Sequence, residues 1–439
     1  MQVKRLTGLG LLLALAGGPQ ARACEMLPDM PPRVAPFREV GYSPERYAQL
    51  AKDWGTYVDK HPKIAIGYVY LWRAQSHTPG SHPDGLGLLR KAYEIDPDCP
   101  QGLSELGYYY LQFGSKQEPG KASLEEVRKL SRRAIELAPD WYEPHLNLMA
   151  CALRSEDTAE ERAQLQAMLR KGAFPSPLLD YSYNLLMSAD PDAIVLTNGD
   201  NDTFPAWALQ AQYAVRTDVR VIDLSLLSVP QYVESMLVAS KDRPAPFTES
   251  EIADVQREAA AAHTWPGAVI ISHLTQKVGR GEWKSPVYIA TTVPRSSFKD
   301  RCSQPLEIEG LLYRVRPGPP AAAGDELSMN RAKTDSLLTK VYRLESAKDF
   351  GYPWSADSPI SSLMMNYVGA WARTAHHYAA AGDLEGVRRM LRGALGMLRF
   401  HPELRHSDGR NLPAEFLDYW KQVDAGNPEV DQLRREFKD

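Results

Sequence analysis

Cysteine is scarce in this chain, with only Cys24, Cys99, Cys151 and Cys302 in 439 residues. That excludes a fold held together mainly by disulfides, and the spacings match no zinc-ligand pattern. Cys99 and Cys151 fall in neighbouring helical repeats. An oxidising compartment would permit them to pair, and two small buried thiols fit the same positions, so the spacing leaves both open. An excess of basic residues is also missing. Lys and Arg number 51 against 55 Asp and Glu, for a net charge of −4, with the two signs interspersed. No electrostatic footprint for nucleic acid results. Beyond the first residues no apolar run is long enough to span a bilayer, so no membrane span is expected. There is no GxGxxG, no P-loop and no GxSxG, which removes the common phosphate cradles and the hydrolase nucleophile elbow.

The chain opens with Lys4 and Arg5, an apolar run from Leu6 to Ala16 and the small-x-small step Ala21-Arg22-Ala23. That order reads as a cleaved signal peptide over 1–23, and it predicts export to the periplasm or cell surface. Cys24 follows directly, but Ala21 and Arg22 are poor neighbours for an acylated cysteine, so the expected product is soluble rather than lipid-anchored. Residues 24–42 carry Pro28, Pro31, Pro32 and Pro36 without periodicity and read as an extended arm.

Ser43-Pro44-Glu45 is a helix start, after which Tyr47, Leu50, Ala51, Trp54 and Val58 recur at helical spacing. A repeat follows. Ala92-Tyr93-Glu94-Ile95-Asp96-Pro97 returns as Ala134-Ile135-Glu136-Leu137-Ala138-Pro139. The first is followed by Leu103, Leu106, Gly107 and Tyr110, the second by Leu146, Leu148 and Ala150. This resembles the tetratricopeptide repeat, in which a small Ala lets two helices approach and a Pro ends the second. The signatures are 42 residues apart, more than the usual 34 or so, and Gly114 to Ser123 reads as the loop insertion responsible. Trp371, Ala375, Tyr378, Gly382-Asp383, Leu391, Ala394 and Pro402 outline another helix pair near the C-terminus.

Between the repeats the pattern changes. Ala193–Thr197, Val219–Leu224, Ala268–Ile271, Pro286–Ala290 and Gly310–Val315 are short apolar runs that read as buried strands, with a helix over Phe204–Val215. Strand, helix and strand with short connections imply a parallel sheet. Arg216 and Asp218 are placed to pin the turn before the second strand. Pro317 to Asp325 reads as a linker.

The densest polar cluster, Thr197-Asn198-Gly199-Asp200-Asn201-Asp202-Thr203, sits where the first strand meets this helix. Ligands bind at that carboxyl edge in open α/β sheets, and a helix start adds N–H groups that favour an anion. Asp200 and Asp202 are also the pair that could hold a hard cation such as Mg²⁺, so a divalent cation is the candidate cofactor and its identity is otherwise open. Asn198, Asp200, Asn201, Asp202, Thr203 and, at the end of the second strand, Asp223 are the candidate ligand-binding residues, with Ser225 beside them. Ordinary chemistry explains much of the same stretch. Asp202 or Thr203 suits an N-cap, Pro205 the first turn and Asn-Gly a turn. The Asp-x-Asp of nucleotide-sugar glycosyltransferases comes later in a larger domain, and haloacid-dehalogenase phosphatases need a Thr where Phe204 stands. His273 reads as an edge histidine after a strand. His376 and His377, adjacent on a helix, cannot share a metal.

Thr197–Pro205 with Trp207, Arg216–Val221, Leu224–Leu227, Pro286–Ala290 with Thr292 and Val293, and Glu309–Leu311 with Tyr313–Val315 and Pro317 together form a pattern. It resembles the soluble C-terminal part of a bacterial domain-of-unknown-function membrane family related to transmembrane protein O-mannosyltransferases. The likeness runs from about Leu185 to Pro402. In that family glycosyl transfer is expected from a membrane core, which this sequence does not contain. The resemblance therefore implies an extramembrane module that binds acceptor protein, glycan or another partner, and not the transferase activity.

The expected fold is mixed α and α/β, with tetratricopeptide-like repeats flanking a small, Rossmann-like, mostly parallel sheet. The expected domains are the signal peptide (1–23), the arm (24–42), helical repeats (43–185), the α/β domain (186–325) and a C-terminal helical repeat region (326–439). The expected function is an exported binding or scaffold protein. A protein or peptide partner would lie on the repeats and a ligand, glycan-related through the resemblance, in the α/β pocket. The alternative is a stand-alone metal-assisted enzyme acting on a glycan or phosphorylated substrate with Asp200 and Asp202 at its site.

Overall fold

The computed structural model describes residues 29–81, 83–117, 124–239, 244–298, 300–319, 327–349, 351–407 and 409–437, with the side chains of 114–117 also left aside. The signal-peptide segment, Cys24, most of the loop insertion at 114–123 and most of the linker at 317–325 lie outside these residues. Two compact units emerge: residues 44–151 with the arm up to Val34, and residues 35–43 with 152 onwards.

The first unit is helical: α1 (Pro44–Lys60), α2 (Ala65–Ser76), α3 (Gly85–Ile95), α4 (Pro100–Gln117), α5 (Leu124–Leu137) and the start of α6 (Glu143–Ser155). The repeat signature does what its chemistry predicts. Ala92 and Ala134 are fully buried where helices approach. At Gly107 on α4 a Cβ would sit only 3.2 Å from Asn147 Nδ2 and 3.4 Å from Ser131 Oγ. The gap lets the Asn147 amide donate to the Ser104 carbonyl at 2.9 Å and tie α6 to α4. Cys99 and Cys151 are both buried and no disulfide joins them, so of the two readings left open by their spacing the thiols hold.

The second unit continues with α7 (Thr158–Arg170), α8 (Ser176–Ser188), β1 (Ile194–Thr197), α9 (Asp200–Tyr213), β2 (Arg220–Asp223), a 3-10 turn (Leu224–Ser228), α10 (Pro230–Leu237), α11 (Glu249–Ala261) and α12 (Pro266–Gly279). Then come β3 (Val287–Ala290), β4 (Leu306–Glu309), β5 (Leu312–Val315), β6 (Ser328–Met329), α13 (Arg331–Ser336), α14 (Pro359–Ala380), α15 (Leu384–Phe400), α16 (Leu412–Val423) and α17 (Pro428–Glu436). The strands form one sheet in the order β2-β1-β3-β5-β4-β6. β1 is parallel to both β2 and β3, whereas β5 is antiparallel to β3 and β4. Every residue of β1 is buried, as expected of a central parallel strand covered on both faces. The fold thus combines helical repeats with a small mixed sheet. In the C-terminal helix pair Gly382 supplies the left-handed step between α14 and α15, and Asp383 caps α15 by accepting the Gly386 N–H.

Three local expectations are corrected. Ala268–Ile271 is not a strand but the first part of α12, started by Pro266. All four residues are buried, and a short apolar run buried on every side has no period to separate helix from strand. His273, expected after a strand, therefore lies on α12, where its Nε2 meets Glu258 at 2.8 Å. The run from Gly310 to Val315 begins as a turn. Gly310 has φ +64°, and a Cβ there would collide with the Tyr342 hydroxyl, so the strand starts at Leu312 as the return arm of a hairpin from β4.

Beneath that hairpin lies a buried ion network. Glu309 is wholly buried. It accepts from the Tyr288 hydroxyl at 2.9 Å and from Lys333, which also reaches Asp190 at 2.7 Å. Arg314 joins Asp190 at 2.6 Å. Burial pushes the Glu309 carboxyl up, but the Lys333 ammonium, the Tyr288 hydroxyl and Arg314 outweigh it and hold the group below its usual value.

Candidate functional site

β1 ends at Thr197 and α9 begins at Asp200, so Asn198 and Gly199 are the whole connection. Gly199, with φ 171°, is simply extended and is the N-cap residue. The helix thus starts inside the polar cluster, earlier than expected at Phe204, and the cap is neither Asp202 nor Thr203. Asp202 stands at the third helical position. Helical side chains lean toward the N-terminus, so its carboxylate folds back over the loop. Oδ2 accepts the Asn198 N–H at 2.9 Å and Oδ1 the Gly199 N–H at 3.0 Å. The Thr292 hydroxyl, just past the end of β3, also donates to Oδ2. Asp202 is 3% exposed. Burial raises its pKa, and the donors from Asn198, Thr292 and Gly199 oppose that rise.

These contacts bear on both chemistries the cluster suggested. Two backbone N–H groups at the loop, which could have cradled an anion, are taken by the protein's own carboxylate. As a cation ligand, Asp202 is ringed by donors rather than left open. Asp200 and Asp202, two apart on a helix, do not share a face. Asp202 turns inward and Asp200 is exposed at the surface. The Asp200 carboxyl still sits in a crowded setting that raises its pKa, with the Arg38 guanidinium pulling it back. Among the described residues no group of three or more His, Cys, Asp or Glu is arranged to hold a metal ion.

The remaining candidates divide. Thr203 and Thr197 are fully buried with their hydroxyls 2.6 Å apart. Thr197 donates to the Ile222 carbonyl at 3.2 Å, so the shared proton comes from Thr203. Asn201 donates to the Arg38 carbonyl at 3.1 Å. The Asn198 side chain is exposed, and its backbone serves Asp202. Asp223 pairs with Thr197 in the β1–β2 register. Its Oδ1 accepts from the Ser225 N–H and hydroxyl, each at 2.7 Å, and its own N–H donates to the Tyr232 hydroxyl at 2.8 Å. Its Oδ2 is buried and finds no hydrogen-bond partner among the described residues. Burial pushes the Asp223 carboxyl up to about 7, with the Ser225 contacts lowering it and the Asp200 and Asp202 charges raising it further.

Four of the six candidates therefore meet at one edge of the sheet, through the Asn198 backbone and the Asp202, Thr203 and Asp223 side chains. A cavity of about 210 Å³ lies nearby, between the 3-10 turn, α10, α11 and α12, but its walls are Leu227, Pro230, Val233, Ile252, Val255 and Ile270, not the acids. Thr292 and Tyr232 were not among the candidates. Thr292 lies two residues past β3 and Asn198 one past the parallel β1, and that shared edge was the available signal. Tyr232 lies on a helix with nothing local to mark it.

Residues 178–265 match the family model described as TMEM260-associated domain 2. The matched stretch runs from α8 to beyond α11 and includes the whole Asn198–Thr203 cluster and Asp223. It fits a protein O-mannosyltransferase-like family, as the Thr197–Trp207 pattern implied. The other half of that pattern, on β3 to β5, lies beyond the matched residues. No curated protein matches the chain. Among solved structures, a chain from "Structure of Naa15/Naa10 bound to HypK-THB" aligns at 12% identity over 88% of this chain and 62% of that one, with a TM-score of 0.24. That likeness is too slight to carry fold or function across. Among the described residues no helix is long and apolar enough to cross a membrane.

Proposed function

We propose that this chain is an exported binding and scaffold protein whose helical repeats take a basic, extended segment of a protein partner, while the α/β module serves as a fixed platform. One observation carries this reading. Arg73 on α2, Glu105 on α4 and Glu143 on α6 meet on one face of the repeat unit. Arg73 Nε lies 2.6 Å from Glu105, and its Nη2 lies 2.5 Å from Glu143. Arg73 and Glu143 are nearly sealed from solvent, and Glu105 keeps a 13% exposed side chain. Burial lowers the Arg73 pKa, but the two carboxylates reverse that and hold the guanidinium charged. Such a cluster stabilises a fold less than apolar residues of the same volume would. Its effect is on specificity: two carboxylates face one buried guanidinium, and the cation that balances them is Arg33, 3.7 Å from Glu143, so a segment that takes the same place would be basic.

The location rests on residues 1–23 alone, and the glycan connection on the family resemblance. The α/β edge supports a ligand reading only through Asp223 Oδ2, a buried oxygen with no partner among the described residues. The enzyme alternative needs a shared cation at Asp200 and Asp202, and the donors filling Asp202 speak against it.

The test is fluorescence anisotropy with Arg-bearing and Glu-bearing extended peptides on the full chain. Binding of the basic set only, weakened about tenfold by Glu105→Gln with Glu143→Gln and weakened by salt, is the expected result. Equal binding of acidic peptides, or binding indifferent to the double variant, would overturn the reading.

A further inference from the structure

The face that carries the charge cluster already holds a length of chain. Residues 30–34 cross the repeat unit without regular secondary structure. The Trp54 indole N–H, on α1, donates to the Pro32 carbonyl at 3.0 Å. The Arg73 guanidinium, on α2, donates to the Val34 carbonyl at 3.3 Å through Nη1. These two carbonyls are two residues apart, the repeat of an extended strand. Both contacts read backbone and not side chain. The proline residues fit this mode. Pro31 and Pro32 have no N–H to leave unpaired, and they hold the chain extended before it binds.

Side chains then add selectivity. Val34 is fully buried. Arg33 turns outward, half-exposed, with its guanidinium 3.7 Å from Glu143 Oε1. The donors are themselves fixed. Trp54 is wholly buried and packed against Tyr57 and Tyr70, and Arg73 is held by its two carboxylates. A rigid donor pair, a buried seat for an aliphatic side chain and a carboxylate for a preceding cation make a recognition track of the kind that selects extended peptides.

Resting on the reading above, we propose that this track is a peptide-binding site which the chain's own Pro31-Pro32-Arg33-Val34 occupies in cis. Its partner is a segment of another protein with the same chemistry: proline, then a basic residue directly before an aliphatic one. The arm and the partner compete for one seat. Apparent affinity is then the intrinsic affinity reduced by the fraction of molecules whose arm is displaced.

The probe is a fluorescent peptide with the sequence of residues 29–36, Asp-Met-Pro-Pro-Arg-Val-Ala-Pro, titrated onto the full chain and two arm variants. Val34→Asp places a charge in the sealed pocket and should release the arm. Val34→Ala loosens the same seat with little risk to folding, and decides the matter if the first variant does not fold. The expected result is that both folded variants bind the peptide at least about tenfold more tightly than the original chain. A control peptide carrying Asp at the Val position should bind to neither. If the original chain and Val34→Ala bind the peptide equally well, occupancy in cis is overturned while the scaffold reading stands. If no form of the chain binds this peptide or any basic extended one, both fall.

Discussion

Asp202 reaches back three residues to accept the Gly199 N–H at 3.0 Å, so the acid that most resembles a ligand in the sequence closes its own loop. The carboxylate stands where a bound anion would stand at a helix N-terminus, and it converts a potential binding site into a fixed corner between β1, α9 and β3.

Removing that carboxylate should therefore cost stability rather than ligand. Asp202→Ala leaves the Asn198 and Gly199 N–H groups and the Thr292 hydroxyl without acceptors, at a cost of about 1–3 kcal/mol. Urea unfolding should show the loss as a lower midpoint at unchanged m-value. Unaltered stability together with loss of a ligand would show that the site reading was right and the clamp reading mistaken.

Asp223 should give the protein a pH dependence of the less common sign. Its folded pKa of about 7 lies above the ordinary aspartate value of about 4. Between those values the native state holds a proton that the unfolded chain has released. This group's contribution is therefore most favourable at low pH and is lost as pH rises to about 7. Asp223→Asn should flatten that part of the stability curve, read as the difference between the two proteins from pH 4 to 8. The comparison is needed because burial also raises Glu161 to about 7. Identical slopes would remove Asp223 from the account.

The network under the β4–β5 hairpin predicts a strong single-site effect and its repair. Lys333→Met leaves Glu309, which is fully buried, with one cation fewer. Stranding a buried charge in this way costs roughly 3–5 kcal/mol. Adding Glu309→Gln should return a good part of the loss, since no fully buried anion is then left behind and Asp190 keeps Arg314 at 2.6 Å. Thermal melts of the two single variants and the double complete the cycle, and additive losses would argue against coupling.

Arg216 offers a test of geometry over charge. Its guanidinium grips Asp218 and donates to the carbonyls of Leu186, Ala189 and Asp190 at 2.9–3.0 Å, joining the end of α8 to the turn before β2. An ammonium cannot reproduce that planar fork. Arg216→Lys should destabilise nearly as much as Arg216→Ala, by about 2 kcal/mol, in chemical unfolding. Full rescue by Lys would show that only the charge matters.

What the sequence alone determined was local. The Ala-x-x-x-x-Pro steps at Ala92 and Ala134, the buried runs of β1, β2 and β3, and the Gly382-Asp383 junction each follow from short-range sterics and periodicity. Neighbouring residues suffice to specify them. The tertiary structure decided where each polar side chain finds its partner. Ala268–Ile271 could not be told from a strand because burial on all sides erased its period, and it lies in the helix that Pro266 starts. Asp202 became a clamp because α9 begins at Asp200 and Thr292 arrives from β3, 90 residues further along. Arg73 meets Glu105, Glu143 and the Val34 carbonyl only once four separate segments have packed. The energy of a buried charge depends on partners remote in the chain, and no local pattern records how far away they are.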